Sequence, residues 1–412
     1  MHICLTHHAF YPTAGGVETH LLDLGAELVR RGHSVHALVG SLTGEPAEST
    51  CQGIQVHRAD WMKLDLLRAR KQAAGIELCE PWPRLQLEIE QGYRRFVREH
   101  GIEVIHAHNF HHSMPEYGLA LTALRRADGI PTVLTIHEMW GEYLCERLLQ
   151  RTHWDRIVCM GQHVYGDLVA QTLQAENAQV VLHGVNTEMF HPGLDSSALR
   201  KELGLNGHRV LLHPARLLPR KGVHTTVEAF RRIADRCPEA VLVITATHDT
   251  LDGTAELRSY RERIRALIGN DGLSKRVLLR SFDFFTELPQ AYAMADVVLY
   301  PSSGEEPFGL VPLEAMASGK PVVVTRSGGL TESVVDGVTG FVIPKEDPEM
   351  LADRMVTLLR RPALARRMGQ AGRVLAQLRF SRTRMAQEMA GVYLEAAAPV
   401  RGSVAQPVAA MV

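Results

Sequence analysis

"SSGEEPFGLVPLEAMASGKPVVV", residues 302–324, carries two carboxylates, Glu306 and Glu314, on either side of a Phe-Gly pair. "ADVVLYPSS" before it reads as a buried strand. "FGLVPLEAMASG" reads as a short helix, with Pro312 tolerable in its first turn and Gly319 at its stop, and "KPVVVTR" as the next strand. The loop therefore falls at the carboxyl end of a parallel strand, where open α/β sheets bind ligands. The N–H groups of Phe308, Gly309 and Leu310 would face that crevice at a helix N-terminus, which favours an anion such as a phosphate. Glu306 would lie in the loop beside this guest, and Glu314 about one turn into the helix, placed to accept hydrogen bonds from hydroxyls. A plainer alternative stands beside this one. Glu306 compensates the helix dipole, Glu305 is its solvated neighbour, and Glu314 is an exposed helical residue.

Outward from this segment, short β-branched runs alternate with amphipathic stretches: "HICLT", "SVHALV", "VIHAH", "TVLTI", "RIVCM", "VVL", then "RVLLHPA", "AVLVITA", "RVLLRS", "DVVLYPS" and "PVVVTR". That alternation marks βα units and parallel sheets. Two groups of about six strands predict an α/β protein of two doubly wound domains, which suits 412 residues at about 150 per domain. Gly, Asn and Pro in "HGVNTEMFHPGLDSS" (183–197) break the pattern. This places one domain at 1–185 and a second at 186–380. A further helix follows at 381–397 with Ser381 as its N-cap, and 398–412 read as a mobile tail.

Composition excludes several partners. Lys plus Arg number 45 against 46 Asp plus Glu, so no basic field argues for nucleic acid. The six cysteines are scattered singly, without the spacing of a disulfide framework or a zinc knuckle, which fits a reducing cytoplasm. No signal-peptide pattern opens the sequence and no apolar run reaches about 18 residues. The expectation is a cytoplasmic protein with at most peripheral membrane contact; its oligomeric state is left open.

Two more loops extend the anion-binding theme. "HPARLLPRKGVHTTVEAF" places Arg216, Arg220 and Lys221 after a strand and before a helix opening at Gly222, a second anion site unless it is only an exposed basic loop. "HAFYPTAGGVETH" places Gly15-Gly16 between a first strand and a helix, where glycine permits close backbone approach to a ligand; a simple tight turn reads equally well.

Together these residues resemble the retaining nucleotide-sugar glycosyltransferases of glycosyltransferase family 4, with the GT-B architecture of two Rossmann-like domains facing a cleft. The resemblance spans Met1 to about Ala397. It rests on the E-x7-E segment from Glu306 to Glu314, "ARLLPRKG", "GGVETH", "TIHE", "HGVNTEMFHP" and "SGGLTESVVDGVTGFVI". It implies a catalytic group of Glu306, His137, Lys221 and Arg216. Arg216 and Lys221 would neutralise the donor diphosphate, Glu314 would hold the ribose, and Glu306 with the Phe308, Gly309 and Leu310 amides would hold the donor sugar. Gly16 would approach the phosphate from the other domain, the base would lie near Ser281-Phe282, and His137 near the transferred sugar. Acceptor-side candidates are Gly15, His108 and Trp140 in the first domain, onto which the helix 381–397 would pack back.

"HAHNFHH" (His106, His108, His111, His112) is similar to the HxHxDH zinc signature, but Phe110 stands where that pattern needs Asp. No D-x-D triplet occurs either, so no cofactor or metal requirement is expected. The expected reaction moves a hexose or amino-hexose from a nucleoside diphosphate sugar, UDP-sugar first, to a hydroxyl of a small-molecule or glycan acceptor, such as an aminoglycoside precursor. Two alternatives remain: a nucleotide-sugar epimerase or hydrolase, and a non-catalytic sugar-nucleotide binding protein.

Overall fold

The computed structural model describes residues 1–412 apart from 14, 112–113, 140–147, 172–173, 246–254, 271–272 and 399–412. The expected tail at 398–412 thus lies almost wholly outside the described residues. Eight strands form the first sheet: β1 (His2–Thr6), β2 (Ser34–Gly40), β3 (Glu48–Cys51), β4 (Ile54–Ala59), β5 (Val104–His108), β6 (Thr132–Ile136), β7 (Arg156–Cys159) and β8 (Ala178–Val180). Their order is β3-β4-β2-β1-β5-β6-β7-β8. Six strands form the second: β9 (Arg209–His213), β10 (Ala240–Thr245), β11 (Val277–Arg280), β12 (Val297–Tyr300), β13 (Val322–Thr325) and β14 (Gly340–Ile343), in the order β11-β10-β9-β12-β13-β14. All pairings are parallel except β3 with β4.

The helices used below are α1 (Gly16–Arg30), α2 (Pro83–His100), α3 (Gln162–Gln171), α4 (Val223–Ile233), α5 (Leu310–Ala317), α6 (Leu330–Ser333) and α7 (Arg382–Ala397). Each sheet is apolar on both faces because helices cover both. In the first domain Ile3, Leu5, Val35 and Ala37 meet Leu21, Leu24 and Leu28 of α1, while Cys4, Leu38 and Ile105 meet Ile89, Tyr93 and Phe96 of α2. In the second, Leu211 and Leu299 meet Val227 and Phe230 of α4, and Leu212, Val298 and Val322 meet Leu313 and Met316 of α5.

Three strands go beyond the sequence reading: β3, β4 and β14. The first two form an edge hairpin whose turn, Gln52-Gly53, is left-handed at both residues (φ 49° and 81°), as a tight two-residue turn requires.

The chain crosses between the domains twice, side by side. The Val185 amide donates to the Phe380 carbonyl at 2.7 Å and the Arg382 amide to the Val185 carbonyl at 3.0 Å. A Cβ on Gly184 would lie 2.7 Å from the Arg382 Cα, so only glycine lets the two crossings touch. Ser381 Oγ accepts from the Arg384 amide at 3.3 Å and caps α7, whose Met385, Met389, Val392 and Tyr393 join the α1 face of the first domain. Each such buried side chain contributes roughly 1.5–3 kcal/mol. The Tyr393 hydroxyl adds a 2.8 Å hydrogen bond to His106 Nδ1.

Candidate active site

In each sheet the strand order reverses once, at β1/β5 and at β9/β12, and crevices for ligands open beyond the carboxyl ends at such points. The loops singled out in the sequence leave these strands: Gly15-Gly16 follows β1, "HNFHH" follows β5, "PARLLPRKG" follows β9 and "PSSGEEPFG" follows β12.

The loops after β9 and β12 lock into one unit. Gly222, at φ 70°, lies so close to β12 that a Cβ would sit 1.8 Å from the Pro301 carbonyl oxygen. Lys221 just before it donates to the Tyr300 hydroxyl at 2.6 Å and to both Glu306 oxygens at 2.8 and 2.9 Å. Ser302 Oγ donates to Glu306 Oε1 at 2.8 Å, and Arg220 Nη1 lies 3.7 Å from that oxygen. Glu306 is therefore buried and ion-paired, while its neighbour Glu305 is exposed. Burial pulls the Lys221 ammonium down to about 8, against the opposing pull of Glu306. It stays charged at neutral pH.

Gly309 (φ 91°) turns the chain into α5, and a Cβ there would meet Leu330 of α6 at 2.6 Å. The amides of Phe308, Gly309 and Leu310 donate to no acceptor among the described residues. They are available to an anion. The Phe308 ring itself is core, packed near Phe380 and His183.

Glu314 corrects the exposed-residue alternative, because it is buried and accepts a short hydrogen bond from Tyr292. Burial pushes its carboxyl up to about 7, with Tyr292 opposing and Asp23 of α1 reinforcing the shift. Phe282 lies in the loop after β11, two strands from β9, half-buried against the second domain's core. Its neighbour Phe285 reaches across to Tyr11, ring centroids 4.9 Å apart.

The Arg216 guanidinium makes no hydrogen bond or ion pair among the described residues, yet its charge reaches the first domain. Burial raises the Glu18 carboxyl of α1, and Arg216 pulls it back. Burial likewise raises Glu138, against Arg220, Lys221 and Arg216. Glu18 and Glu138 were visible in "GGVETH" and "TIHE", but the sequence offered no means of seeing that they face the cationic loop. Gly16 opens α1 with free space among the described residues where a Cβ would stand, and a ligand would have room there. Gly15 is extended (φ −171°), a conformation open to any residue.

His137 ends β6 and is fixed by its amide donating to Asn109 Oδ1 at 2.8 Å and by a 3.1 Å ring contact from its Nε2 to His108 Nδ1. His108 is completely buried beneath it, which corrects the acceptor-side expectation: it orients His137 and does not line the cleft. Trp140 and His112 lie outside the described residues. His106 bonds to Tyr393 and Thr135, and His111 Nε2 to the Glu138 carbonyl at 2.8 Å, so "HAHNFHH" does not converge on one point. A different trio does. His20 of α1, His108 and His137 bring ring nitrogens within 4.8 Å of one another, a ligand set able to hold a metal ion that sequence spacing did not reveal. Burial lowers all three imidazoles well below their ordinary value.

A small cavity of about 20 Å³ lies between Tyr11, Glu18, Leu22 and Phe284. A cavity of about 260 Å³ lies instead on the second domain near Arg209, Asp296 and Lys320, at the amino ends of β9 and β12, remote from these groups. Glu332 of α6 closes the gap by accepting from the Gln162 and His163 amides at the start of α3, both at 2.7 Å.

Residues 14–189 match the model described as Glycosyltransferase Family 4, and residues 195–375 the model described as Glycosyl transferases group 1. The D-inositol 3-phosphate glycosyltransferase of Corynebacterium efficiens is 28% identical over 93% of this chain and 91% of its own length. The GDP-mannose-dependent alpha-(1-6)-phosphatidylinositol monomannoside mannosyltransferase of Mycobacterium tuberculosis is 29% identical over 85% and 92%. Among solved structures, sucrose-phosphate synthase of Thermosynechococcus elongatus superposes with a TM-score of 0.77 at 23% identity, covering 95% of this chain and 98% of that one. Anabaena HepE in complex with UDP-glucose gives 0.71 at 22%, covering 95% and 98%. Two family models that together span most of the chain, relatives along nearly the whole length and a shared fold agree: the chain is a glycosyltransferase of the GT-B fold, its first half a Glycosyltransferase Family 4 domain and its second a Glycosyl transferases group 1 domain.

Proposed function

We propose that this enzyme transfers a hexose or amino-hexose from a nucleoside diphosphate sugar, a UDP-sugar first, to a hydroxyl of a cyclitol-type small molecule, with retention at the anomeric carbon and without a metal. The observation that carries the reading is Lys221 held by Tyr300 and Glu306 beside the free amides of Phe308 to Leu310. That is a preorganised seat for a diphosphate. Support for the acceptor class comes from relatives named for inositol phosphate and phosphatidylinositol mannoside substrates; support for the nucleotide comes from HepE structures named for UDP and UDP-glucose. Residues 1–185 would take the acceptor and 186–380 the donor.

In the step itself the acceptor oxygen bonds to the anomeric carbon while the bond from that carbon to the diphosphate oxygen breaks. The electron pair leaves with the diphosphate, which takes the acceptor proton on the same face. Charge grows on the leaving group, and Lys221, Arg216 and the α5 amides are fixed where it grows, an arrangement able to lower a barrier by several kcal/mol. Glu306 anchors Lys221 and turns to the sugar hydroxyls when the phosphate draws the ammonium away. His137, held by Asn109 and His108, offers Nδ1 to the sugar from the opposite domain.

Mass spectrometry of a donor-by-acceptor matrix, run with and without EDTA, tests this. Glycosylated cyclitol formed from a UDP-sugar in EDTA is expected. Epimerised donor or free nucleotide without acceptor would favour the epimerase or hydrolase; loss of transfer in EDTA restored by Mg²⁺ or Mn²⁺ would refute metal independence.

A further inference from the structure

Near the β3 edge of the first sheet, on the face covered by α2, imidazoles lie side by side. The face is set by register. Cys4 of β1 pairs with His36 of β2, Leu38 of β2 with His57 of β4, and Glu48 of β3 with His57. Because side chains alternate along each strand, His36, His57 and Glu48 project to the side covered by α2, and His100 at the end of that helix closes over them. Ring centroids lie 5.3 Å apart for His36–His57, 4.5 Å for His57–His100 and 5.0 Å for His36–His100. One nitrogen from each of the three falls within 4.8 Å of the others.

We propose that His36, His57 and His100 form a binding site for a divalent transition cation of the zinc class. Three imidazole nitrogens are a donor set that selects zinc, copper or nickel over magnesium or calcium. The hydrogen bonding supports ligation at each member. His36 Nδ1 and His57 Nε2 stand 3.1 Å apart, close to the nitrogen spacing around one tetrahedral ion whose bonds are about 2.0–2.1 Å. His36 Nε2 is 3.2 Å from Ser34 Oγ. A hydroxyl can donate or accept, so His36 can move its proton from Nδ1 to Nε2 and free Nδ1 for the metal with no net proton released. Glu48 Oε2 lies 2.7 Å from His57 Nδ1, off the line of a good hydrogen bond. A turn of this exposed carboxylate completes the carboxylate–histidine pairing that fixes the tautomer of metal-bound imidazoles. The His100 ring makes no hydrogen bond among the described residues and is partly open to solvent, which gives the ion a way in.

Such an ion would tie the end of α2 to the β2–β4–β3 edge and stabilise the first domain without touching donor or acceptor. Isothermal titration of untagged protein with zinc chloride, alongside thermal unfolding, tests the site. Zinc should bind at this site and raise the unfolding midpoint in a saturable way. His100→Ala and His57→Gln should each weaken binding by at least about tenfold, and His20→Ala, in the cleft trio, should leave it intact. Co²⁺ should give the visible absorption of a nitrogen-rich tetrahedral complex in the wild type and lose it in His100→Ala. Undiminished zinc binding in both His100→Ala and His57→Gln, or loss only in His20→Ala, overturns the proposal. Because His100 is at a helix end, its variant is expected to fold whatever the fate of His57→Gln.

Discussion

Lys221→Met separates the two tasks assigned to this side chain. In the free enzyme the ammonium neutralises Glu306, which keeps Ser302 Oγ at 2.8 Å and Arg220 at 3.7 Å once Lys221 is gone. Removing one partner of a fully buried pair costs about 3–5 kcal/mol; with two polar partners retained, about 1–3 kcal/mol is expected. In the transition state the loss is one charge-assisted hydrogen bond to the diphosphate, about 1.5–3 kcal/mol. At 1.36 kcal/mol per decade, kcat/KM for the donor should fall roughly ten- to hundredfold. Adding Glu306→Gln removes the stranded charge, so the double variant should regain stability yet show no recovery of donor use. Steady-state kinetics and chemical denaturation on the same three preparations give the answer. An unchanged kcat/KM in Lys221→Met, or stability and kcat/KM recovering together in the double variant, would refute a diphosphate contact.

His137→Ala should slow transfer by the equivalent of about 1–3 kcal/mol, one well-aligned hydrogen bond, while calorimetric affinity for free nucleoside diphosphate stays level; a parallel loss of both would make His137 a support of the cleft. With the Lys221 ammonium at about 8, kcat/KM for the donor should decline above that pH toward about tenfold per unit, and a profile flat to pH 10 would contradict its charged role. Burial holds His106, His183 and His213 at about 3, below the ordinary 6.5, so the stability they confer is complete above pH 6.5 and lost as pH falls toward those values. At about 1.4 kcal/mol per pH unit each, the three together remove roughly 4 kcal/mol per unit, a large part of a total of about 5–15 kcal/mol; circular dichroism should show unfolding between pH 6 and 4, and a flat signal to pH 4 would be incompatible with these burials.

Most of the parallel strands were legible because both faces are covered and the runs are largely apolar. "IQVHRA" and "ESTC" were not, because an edge hairpin keeps polar residues on its open side. Lys221, Glu306 and the α5 amides could be found in sequence since their chemistry belongs to strand ends and helix starts. His108 was misjudged, since whether a strand-end imidazole faces the cleft or the core depends on what α1 lays over it. The trio of His20, His108 and His137 joins residues 88 and 29 positions apart, a convergence that only the packing of α1 against β5 and β6 creates.

Because the crossings at Val185 and Phe380–Arg382 are hydrogen-bonded neighbours, residues 186–380 enter and leave the rest of the molecule through one doorway. The second domain is topologically an insertion whose ends meet, while α7 belongs by packing to the first. A foreign 186–380 segment from another member of the fold can therefore be exchanged as a cassette at two adjoining seams, with Gly184 and Ser381 retained as the frame. Cutting the chain once, between the halves, would instead strand α7 on the wrong fragment and expose the apolar face that Met385, Met389 and Tyr393 now cover.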